Sequence, residues 1–157
     1  SYAGDKSVRL RLHMASTLAG IAFSRSGLGL CHAMSHALGA RFHVPHGRLN
    51  AILLPAVIAS NAQGAGSGYA RLARAAGLGG SADVVALRNL KNGLCRLRRE
   101  LNLPETLLQA GIDPRSVWRQ AGELVEATLK DPCCDTNPMP VEGFLVRRIL
   151  EEVTGHV

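Results

Sequence analysis

Four of the six histidines in this 157-residue sequence fall within residues 27–50, GLGLCHAMSHALGARFHVPHGRLN. His32 and His36 are four residues apart, a spacing that places two side chains on one face of a helix, about one turn apart. His46 comes fourteen residues after His32. A helix–loop–helix corner would bring these three imidazoles around one point, so we expect the chemistry of the chain to lie there.

Neutral imidazole is a common ligand of zinc, iron, copper and nickel. The spacing of the histidines favours a metal or catalytic site over the alternative that they only cap and pack a helix junction. A divalent metal usually takes three or four protein ligands, often including a carboxylate. Neither Asp5 nor Asp131 shows ligand spacing, so we expect the missing ligands on a segment outside this sequence.

The elements that must position the histidines are predicted to be helices throughout. Apolar residues recur at helical spacing, and no alternating strand pattern is present. Asp5, Ser81 and Asp113 stand where helix caps are expected. Helices are predicted at about residues 6–24, 28–40, 46–62, 69–76, 82–101, 105–110, 114–128 and 141–153. The helix that follows Asp113 is expected to turn one side toward the core, with Val117, Ala121, Leu124 and Thr128 on that side. The predicted fold is an all-α, multi-helix bundle that forms a single domain over residues 1–157.

Three helices carry particular expectations. The helix at 6–24 is expected to bury an apolar stripe, and Pro55 to kink the helix at 46–62, which a Gly-rich loop follows. The helix after Ser81 is expected to be the longest regular one, with a leucine seam and a solvated basic face. The stripe comprises Leu10, Met14, Leu18 and Ile21; the seam Leu87, Leu90, Leu94, Leu97 and Leu101; the basic face Arg88, Lys91, Arg96, Arg98 and Arg99.

Composition narrows the classes of function. Apolar residues make up 46% of the chain, which is typical of a globular protein that buries a core. The net charge of +6 comes from dispersed basic residues without aromatic neighbours, which disfavours nucleic-acid binding. The four cysteines form no C-x-x-C pair, and no apolar run is long enough to span a membrane. We therefore expect a protein of the reducing cytoplasm.

The histidine stretch resembles the iron-containing (group III) alcohol dehydrogenase family. The resemblance begins at LAGIAF, residues 18–23, and continues through GLGLCHAMSHALG and PHGRLNAILLPAVIASNA. It extends to LPETLLQAGID and DPCCDTNP, so it covers nearly the whole chain. Within the family, the sequence is most similar to the alcohol dehydrogenases of bacterial propanediol and ethanolamine utilisation, of the 1-propanol dehydrogenase type.

This resemblance implies a two-domain parent with a dehydroquinate-synthase-like fold. An N-terminal α/β domain would bind NAD(H), and a helical C-terminal domain would carry Fe²⁺, with Zn²⁺ as the alternative metal. The chain resembles only most of the second domain and begins at Ser1. We therefore expect a fragment of a longer enzyme that lacks the nucleotide-binding domain and is inactive alone.

The resemblance also assigns roles to residues. His32 and His46 correspond to metal ligands, and His36 to a catalytic residue beside the metal and the nicotinamide. Cys133 is expected to line the substrate pocket. The alternative, that Cys133 and Cys134 only pack the loop, stays open. Met139 stands where the family often has arginine, which puts any role of that arginine in doubt.

The implied reaction interconverts a short-chain aldehyde and a primary alcohol, propionaldehyde and 1-propanol or acetaldehyde and ethanol. The implied partners are this small molecule and further copies of the chain, in the cytoplasm or inside a bacterial microcompartment. Two alternatives stay open: a non-catalytic helical interaction module, and a histidine-rich metal-binding domain without a redox role.

Overall fold

The computed structural model of the protein describes residues 4–155, which form helices and connectors without a strand. This confirms the all-α prediction. No helix in the described part of the chain has both the length and the apolarity of a membrane span. The elements are α1 (Lys6–Ser26), α2 (Leu30–Phe42), α3 (His46–Ala75), α4 (Asp83–Glu100), α5 (Pro114–Arg119), α6 (Ala121–Leu129), a 3₁₀ turn (Pro132–Thr136) and α7 (Gly143–Thr154).

The main core forms where α2 and the first half of α3 pack against α6 and α7. The predicted face of α5 and α6 is confirmed, because Val117, Ala121, Leu124 and Thr128 are all buried. Asp113 caps α5 as expected and accepts hydrogen bonds from the N–H groups of Arg115 and Ser116. Both histidine-bearing helices are therefore anchored in the best-packed part of the molecule.

The longest helix is α3, with 30 residues, and not α4 as predicted. The Gly-rich stretch at 63–68 continues the helix, and the non-helical backbone angles within it fall at Ala65 rather than at Pro55. The second half of α3 packs on α4 in a smaller core made of Ile58, Ala70, Ala73, Ala86 and Leu90. The prediction of a helix at 105–110 was also wrong, because this segment forms turns.

Arg98 departs from the predicted basic face of α4, because its side chain is 9% exposed. Pro55 has no N–H to donate to the carbonyl of Ala51, the residue four positions earlier in α3. One guanidinium nitrogen of Arg98 donates to that carbonyl at 3.3 Å, and another donates to the Glu105 carboxylate at 3.0 Å. Arg98 therefore supplies the hydrogen bond that Pro55 withholds, which explains its burial.

The predicted leucine seam of α4 is only partly correct. Leu90 is buried, whereas Leu97 and Leu101 are 52% and 59% exposed. The seam therefore seals against α3 in its first half and opens to solvent toward the end of the helix.

The buried stripe predicted for α1 was wrong, because no residue of this helix is buried. Leu10, Met14, Leu18 and Ile21 are all more than half exposed. The apolar side chains lie on more than one side of the helix, a distribution typical of helices that are surrounded in the folded protein. The described residues therefore leave α1 without the packing that its composition calls for.

Candidate functional site

Three imidazoles converge at the junction of α2 and α3, as the sequence predicts. His32 and His36 lie one turn apart on α2, and His46 is the first residue of α3. The ring centroid of His46 is 5.1 Å from the centroids of both other rings, and those two are 6.3 Å apart. His43, expected on the loop, is exposed at the end of α2 with a positive φ of 54° and turns the chain between the two helices.

Asn50 connects two of these rings. Its side-chain nitrogen lies 3.4 Å from Nε2 of His32 and 3.0 Å from Nε2 of His46. The amide oxygen of Asn50 accepts a hydrogen bond of 2.6 Å from the buried Ser35 hydroxyl, which directs the amide nitrogen toward the rings. Both Nε2 atoms are then acceptors, and both direct their lone pairs toward the same amide group.

The electrostatics favour the neutral imidazole at both positions. Burial lowers the pKa of His32, and the neighbouring His46 and His36 lower it further. Burial likewise lowers the pKa of His46, with a contribution from His36. Neutral imidazole is the form that binds metals, so these two side chains have the protonation state that ligands require.

Asp131 lies beside the histidines, which corrects the expectation that neither candidate carboxylate belongs to the site. Its Oδ2 is 2.8 Å from Nδ1 of His36, although 95 residues separate the two in sequence. Burial acts to raise the pKa of Asp131, but hydrogen bonds from the Cys133 backbone N–H and from His36 outweigh it, so the pKa is lowered. The ionised carboxylate accepts the Nδ1 proton, and Nε2 of His36 is left as the free acceptor. Asp5, by contrast, only caps α1.

Cys133 lies on the 3₁₀ turn next to Asp131 and is half-buried. Its Sγ, a ring nitrogen of His36 and a carboxylate oxygen of Asp131 all lie within 4.8 Å of one another. Burial and the Asp131 carboxylate raise the pKa of the Cys133 thiol to about 11, so it is protonated near neutral pH. Cys134 points elsewhere and donates to the Thr128 carbonyl at 3.1 Å, so it packs the loop.

A paired-amide contact holds the loop of residues 131–140 against the histidine helices. Asn137 and Asn61 exchange two side-chain hydrogen bonds, each 2.9 Å long. The Asn137 oxygen also accepts from the backbone N–H of Leu30, the first residue of α2, at 3.1 Å. The loop that carries Asp131 and Cys133 is thereby fixed to the start of the helix that carries His32.

An apolar cavity of about 320 Å³ opens beside His32, between α2, α3 and α4. Its walls include Leu54, Val57 and Leu90, with Asn61 and Asn137 as polar groups. Its lining is apolar, with few polar groups, as in many small-molecule pockets. The described residues therefore place an apolar pocket directly against one candidate ligand.

Sequence reasoning missed two members of this constellation. Asn50 follows His46 by four residues on the same helix, a spacing that places both on one face and was available as a signal. Asp131 had no such signal, because only the tertiary fold brings its loop to α2.

The chain belongs to the Fe-containing alcohol dehydrogenase family, because the family's sequence model for the C-terminal domain matches residues 1–154. The resemblance seen in the sequence is thereby confirmed. The helical architecture also agrees with that of solved structures. The crystal structure of a 1,3-propanediol oxidoreductase superimposes with a TM-score of 0.87 at 28% identity, covering 96% of this chain and 39% of that one.

Two curated relatives illustrate the match. An NADPH-dependent butanol dehydrogenase of Clostridium saccharobutylicum is 36% identical over 151 residues, which cover 96% of this chain and 39% of the relative. The 1-propanol dehydrogenase PduQ of Salmonella typhimurium is 40% identical over 149 residues, or 92% of this chain and 40% of the relative. The chain thus spans about two fifths of the length of these relatives.

Proposed function

We propose that this chain is the metal-bearing part of an alcohol dehydrogenase that interconverts a short-chain aldehyde and a primary alcohol. The observation that carries the proposal is the arrangement of His32 and His46, whose Nε2 atoms face one amide group from two helices. Neutral imidazoles held by a buried hydrogen-bond network suit a metal better than a packing role does. Membership of the Fe-containing family favours Fe²⁺.

His32 and His46 would hold the metal through Nε2, in place of their contacts with Asn50. A bound Fe²⁺ supplies Lewis-acid polarisation of the alcohol or aldehyde oxygen. Asn50 and Ser35 fix the ring orientations, and such supporting contacts commonly contribute 10- to 100-fold in metal affinity. The residues present therefore fit one wall of a divalent-metal site.

His36 is the proposed catalytic residue, and it would also contact the nicotinamide. Asp131 holds its Nδ1–H at 2.8 Å, which fixes the tautomer and leaves Nε2 to accept a proton. The His36 side chain is 45% exposed, so a proton taken from the reacting alcohol can pass on to solvent. This pair would take up the proton of the alcohol, and NAD⁺, when bound, would supply the hydride acceptor.

Cys133 and the apolar cavity are proposed to shape the substrate site. The thiol is protonated and lies beside His36 and Asp131, so it offers a small, weakly polar wall and not a nucleophile. A short aliphatic chain would suit such a wall, which supports propionaldehyde and acetaldehyde as substrates. The 40% identity to a protein named 1-propanol dehydrogenase supports the same choice.

The remaining metal ligands and the NAD(H)-binding site are proposed to come from a preceding domain. The chain spans about two fifths of its relatives' length, which leaves room for an α/β domain that binds NAD(H). On this proposal the chain alone is inactive. The coding sequence upstream tests it: a Gly-rich βα unit and an Asp-x₃-His helix would support the enzyme, whereas unrelated sequence would favour a non-catalytic helical module.

Metal binding by the chain itself tests the ligand assignment. Titration with Fe²⁺ under anaerobic conditions should show weak binding, because two imidazoles leave the ion largely solvated. His32→Ala or His46→Ala should each weaken that binding further by at least tenfold, whereas His13→Ala, on the exposed face of α1, should not. Tight stoichiometric binding that survives both ligand replacements would show the assignment to be wrong. The same titration of the Cys133→Ser chain with Zn²⁺ compares the alternative metal at His32 and His46, because this variant removes the thiol as a competing ligand.

The exposed α1 supports a further proposal, that the isolated chain self-associates. Six large apolar side chains of this helix are 45–65% exposed, and exposed apolar patches commonly mark interaction surfaces. Light scattering should report oligomers whose mass rises with concentration. A clean monomer at high concentration would contradict the proposal. The cytoplasm, or a microcompartment within it, is the proposed location.

A further inference from the structure

A second set of metal-binding atoms lies at the edge of the histidine site and does not include the His32–His46 pair. A ring nitrogen of His36, a carboxylate oxygen of Asp131 and Sγ of Cys133 all lie within 4.8 Å of one another, and Nδ1 of His36 is the nitrogen that contacts Asp131. The first comes from α2, and the other two come from the loop that follows α6. The three donors are a nitrogen, an oxygen and a sulfur, brought together by the fold across 95 residues.

This donor set has the chemistry of a zinc site. Zinc takes Cys sulfur, His nitrogen and carboxylate oxygen in tetrahedral geometry, at about 2.0–2.3 Å. Ligand atoms around such an ion stand about 3.3–3.8 Å apart by that geometry. The His36–Asp131 contact of 2.8 Å must therefore open slightly, and the sulfur must close in, which are side-chain movements of an ångström or so.

The carboxylate is already oriented for this role. Oδ1 of Asp131 accepts the backbone N–H of Cys133 at 2.8 Å, which leaves Oδ2 directed at His36. A carboxylate fixed by a second hydrogen bond is typical of metal ligands. The His36 side chain is half exposed, so a water molecule can complete the four ligands.

We propose that His36, Asp131 and Cys133 form a second metal site that takes a thiophilic divalent cation of the zinc type. On binding, the Cys133 thiol releases its proton to solvent and its sulfur ligates the ion. The Nδ1 proton of His36 is replaced by one on Nε2, exchanged through solvent, so that Nδ1 becomes the ligand. Only coordination bonds form, and no oxidant or reductant is needed.

Occupation of this site would act on the proposed function. The ion would coordinate Nδ1 of His36 and the Asp131 carboxylate, whose hydrogen bond fixes the His36 tautomer. Nε2 of His36 would then carry a proton and could no longer accept one. Zinc would therefore oppose the proton transfer assigned to His36. This consequence depends on the proposed function, whereas the binding of the cation does not.

Cobalt replaces zinc as a spectroscopic probe, because a thiolate bound to Co²⁺ gives a near-ultraviolet charge-transfer band that imidazoles and carboxylates do not give. Titration of the reduced, metal-free chain with Co²⁺ should produce this band, and Zn²⁺ should abolish it by displacement. Cys133→Ser should remove the band. Cys95→Ser is the matched control, because Cys95 is also half-buried but lies on α4, and it should leave the band unchanged.

Two further variants separate this proposal from the proposed function. Asp131→Asn should weaken Co²⁺ binding by about 10- to 100-fold. His32→Ala should leave the charge-transfer band in place, even though it weakens the other site. Failure of the His32–His46 assignment would therefore not affect the band, and loss of the band would not affect that assignment.

A protection measurement guards against misfolding of the serine variant. Zn²⁺ should slow alkylation of Cys133 in the unaltered chain at least tenfold and leave the alkylation rate of Cys95 unchanged, as read by peptide mass spectrometry. The absence of a band at saturating Co²⁺, a band that survives Cys133→Ser, or equal alkylation rates with and without zinc would each overturn the proposal.

Discussion

Arg98 and Pro55 offer the sharpest test of how the structure places the histidine helices. In α3, Pro55 leaves the Ala51 carbonyl without its intrahelical partner, and Arg98 of α4 donates to it at 3.3 Å. Ala51 directly follows Asn50, so this contact holds the turn that carries the site. The informative perturbation is a cycle of Arg98→Met, Pro55→Ala and the double variant.

The single variant Arg98→Met has opposing effects on the free energy of unfolding. It leaves a partly buried carbonyl unpaired, at a cost of about 1–3 kcal/mol. It also removes a guanidinium that is 9% exposed and whose Nε lacks a hydrogen-bond partner within the described residues. Replacing a buried charge by an apolar side chain is often neutral or favourable. Glu105, 37% exposed, regains water when its partner is lost. The net effect therefore does not isolate the carbonyl.

Pro55→Ala isolates it, because alanine restores an N–H that can reach Ala51 within the helix. Arg98→Met should then cost about 1–2 kcal/mol less in the Pro55→Ala background than in the original chain, the worth of one partly buried carbonyl. Urea unfolding of all four proteins, followed by helical circular dichroism, measures this coupling. If the two changes add to within about 0.3–0.5 kcal/mol, the Arg98 contact does not replace the missing bond, and the explanation of its burial fails.

Three further predictions concern the helices and their junctions. Ile149→Ala, at a core position with no exposure, should cost about 2–5 kcal/mol in urea unfolding, and a cost under 1 would mean that the main core is loosely packed. Gly27→Ala should destabilise the chain by about 1–3 kcal/mol more than Gly77→Ala. Both glycines have a φ of 72°, but only at Gly27 would an added Cβ clash with the Thr136 side chain; equal losses would contradict this. The Ser116 hydroxyl and the N–H groups at the start of α5 lower the pKa of Asp113. The carboxylate therefore stabilises the fold above its ordinary pKa of 3.8, and this stabilisation is lost as the pH falls through the lower pKa of the folded state. Acid unfolding of Asp113→Asn should lack this loss, and identical acid-unfolding profiles of the two proteins would refute the prediction.

The sequence predicted the helices well where each one packs against a neighbour within this chain. The stripe of α5 and α6 and the cap at Asp113 depend on local signals and on contacts that are present, and both were confirmed. The stripe of α1 was predicted from the same kind of pattern, yet its residues are exposed. Periodicity reveals that a helix needs a partner, but it does not reveal whether that partner lies in the same stretch of chain.

The sequence also does not predict hydrogen bonds that a residue of one helix supplies to another helix. Pro55 in isolation predicts a kink, and Arg98 in isolation predicts a solvated face. The two exceptions explain each other only when α3 and α4 are placed side by side, because the donor on one helix satisfies the acceptor on the other. Local rules treat each helix separately and therefore fail at both positions together.

The same distinction holds at the site. The spacing of His32, His36 and His46 places them at one corner, because two are on one helix and the third begins the next. Asp131 reaches that corner through the loop that Asn137 fastens to α2 and α3, a contact between distant segments that no local pattern encodes. Sequence spacing therefore identified the candidate ligands, and the tertiary fold supplied the groups that orient them.

The hydrogen bonds around the three imidazoles bear on how the proposed metal site would take up its ion. Two converging neutral rings would leave polar nitrogens unpaired in a partly buried corner, which is costly. Asn50 satisfies both Nε2 atoms, and Asp131 satisfies Nδ1 of His36. A metal at the first pair displaces only the amide contacts, which solvent can replace at small cost. On the proposed function, a metal would replace these hydrogen bonds by coordination bonds without moving the helices. Replacing Asn50 by leucine should therefore disturb ring orientation and metal affinity together.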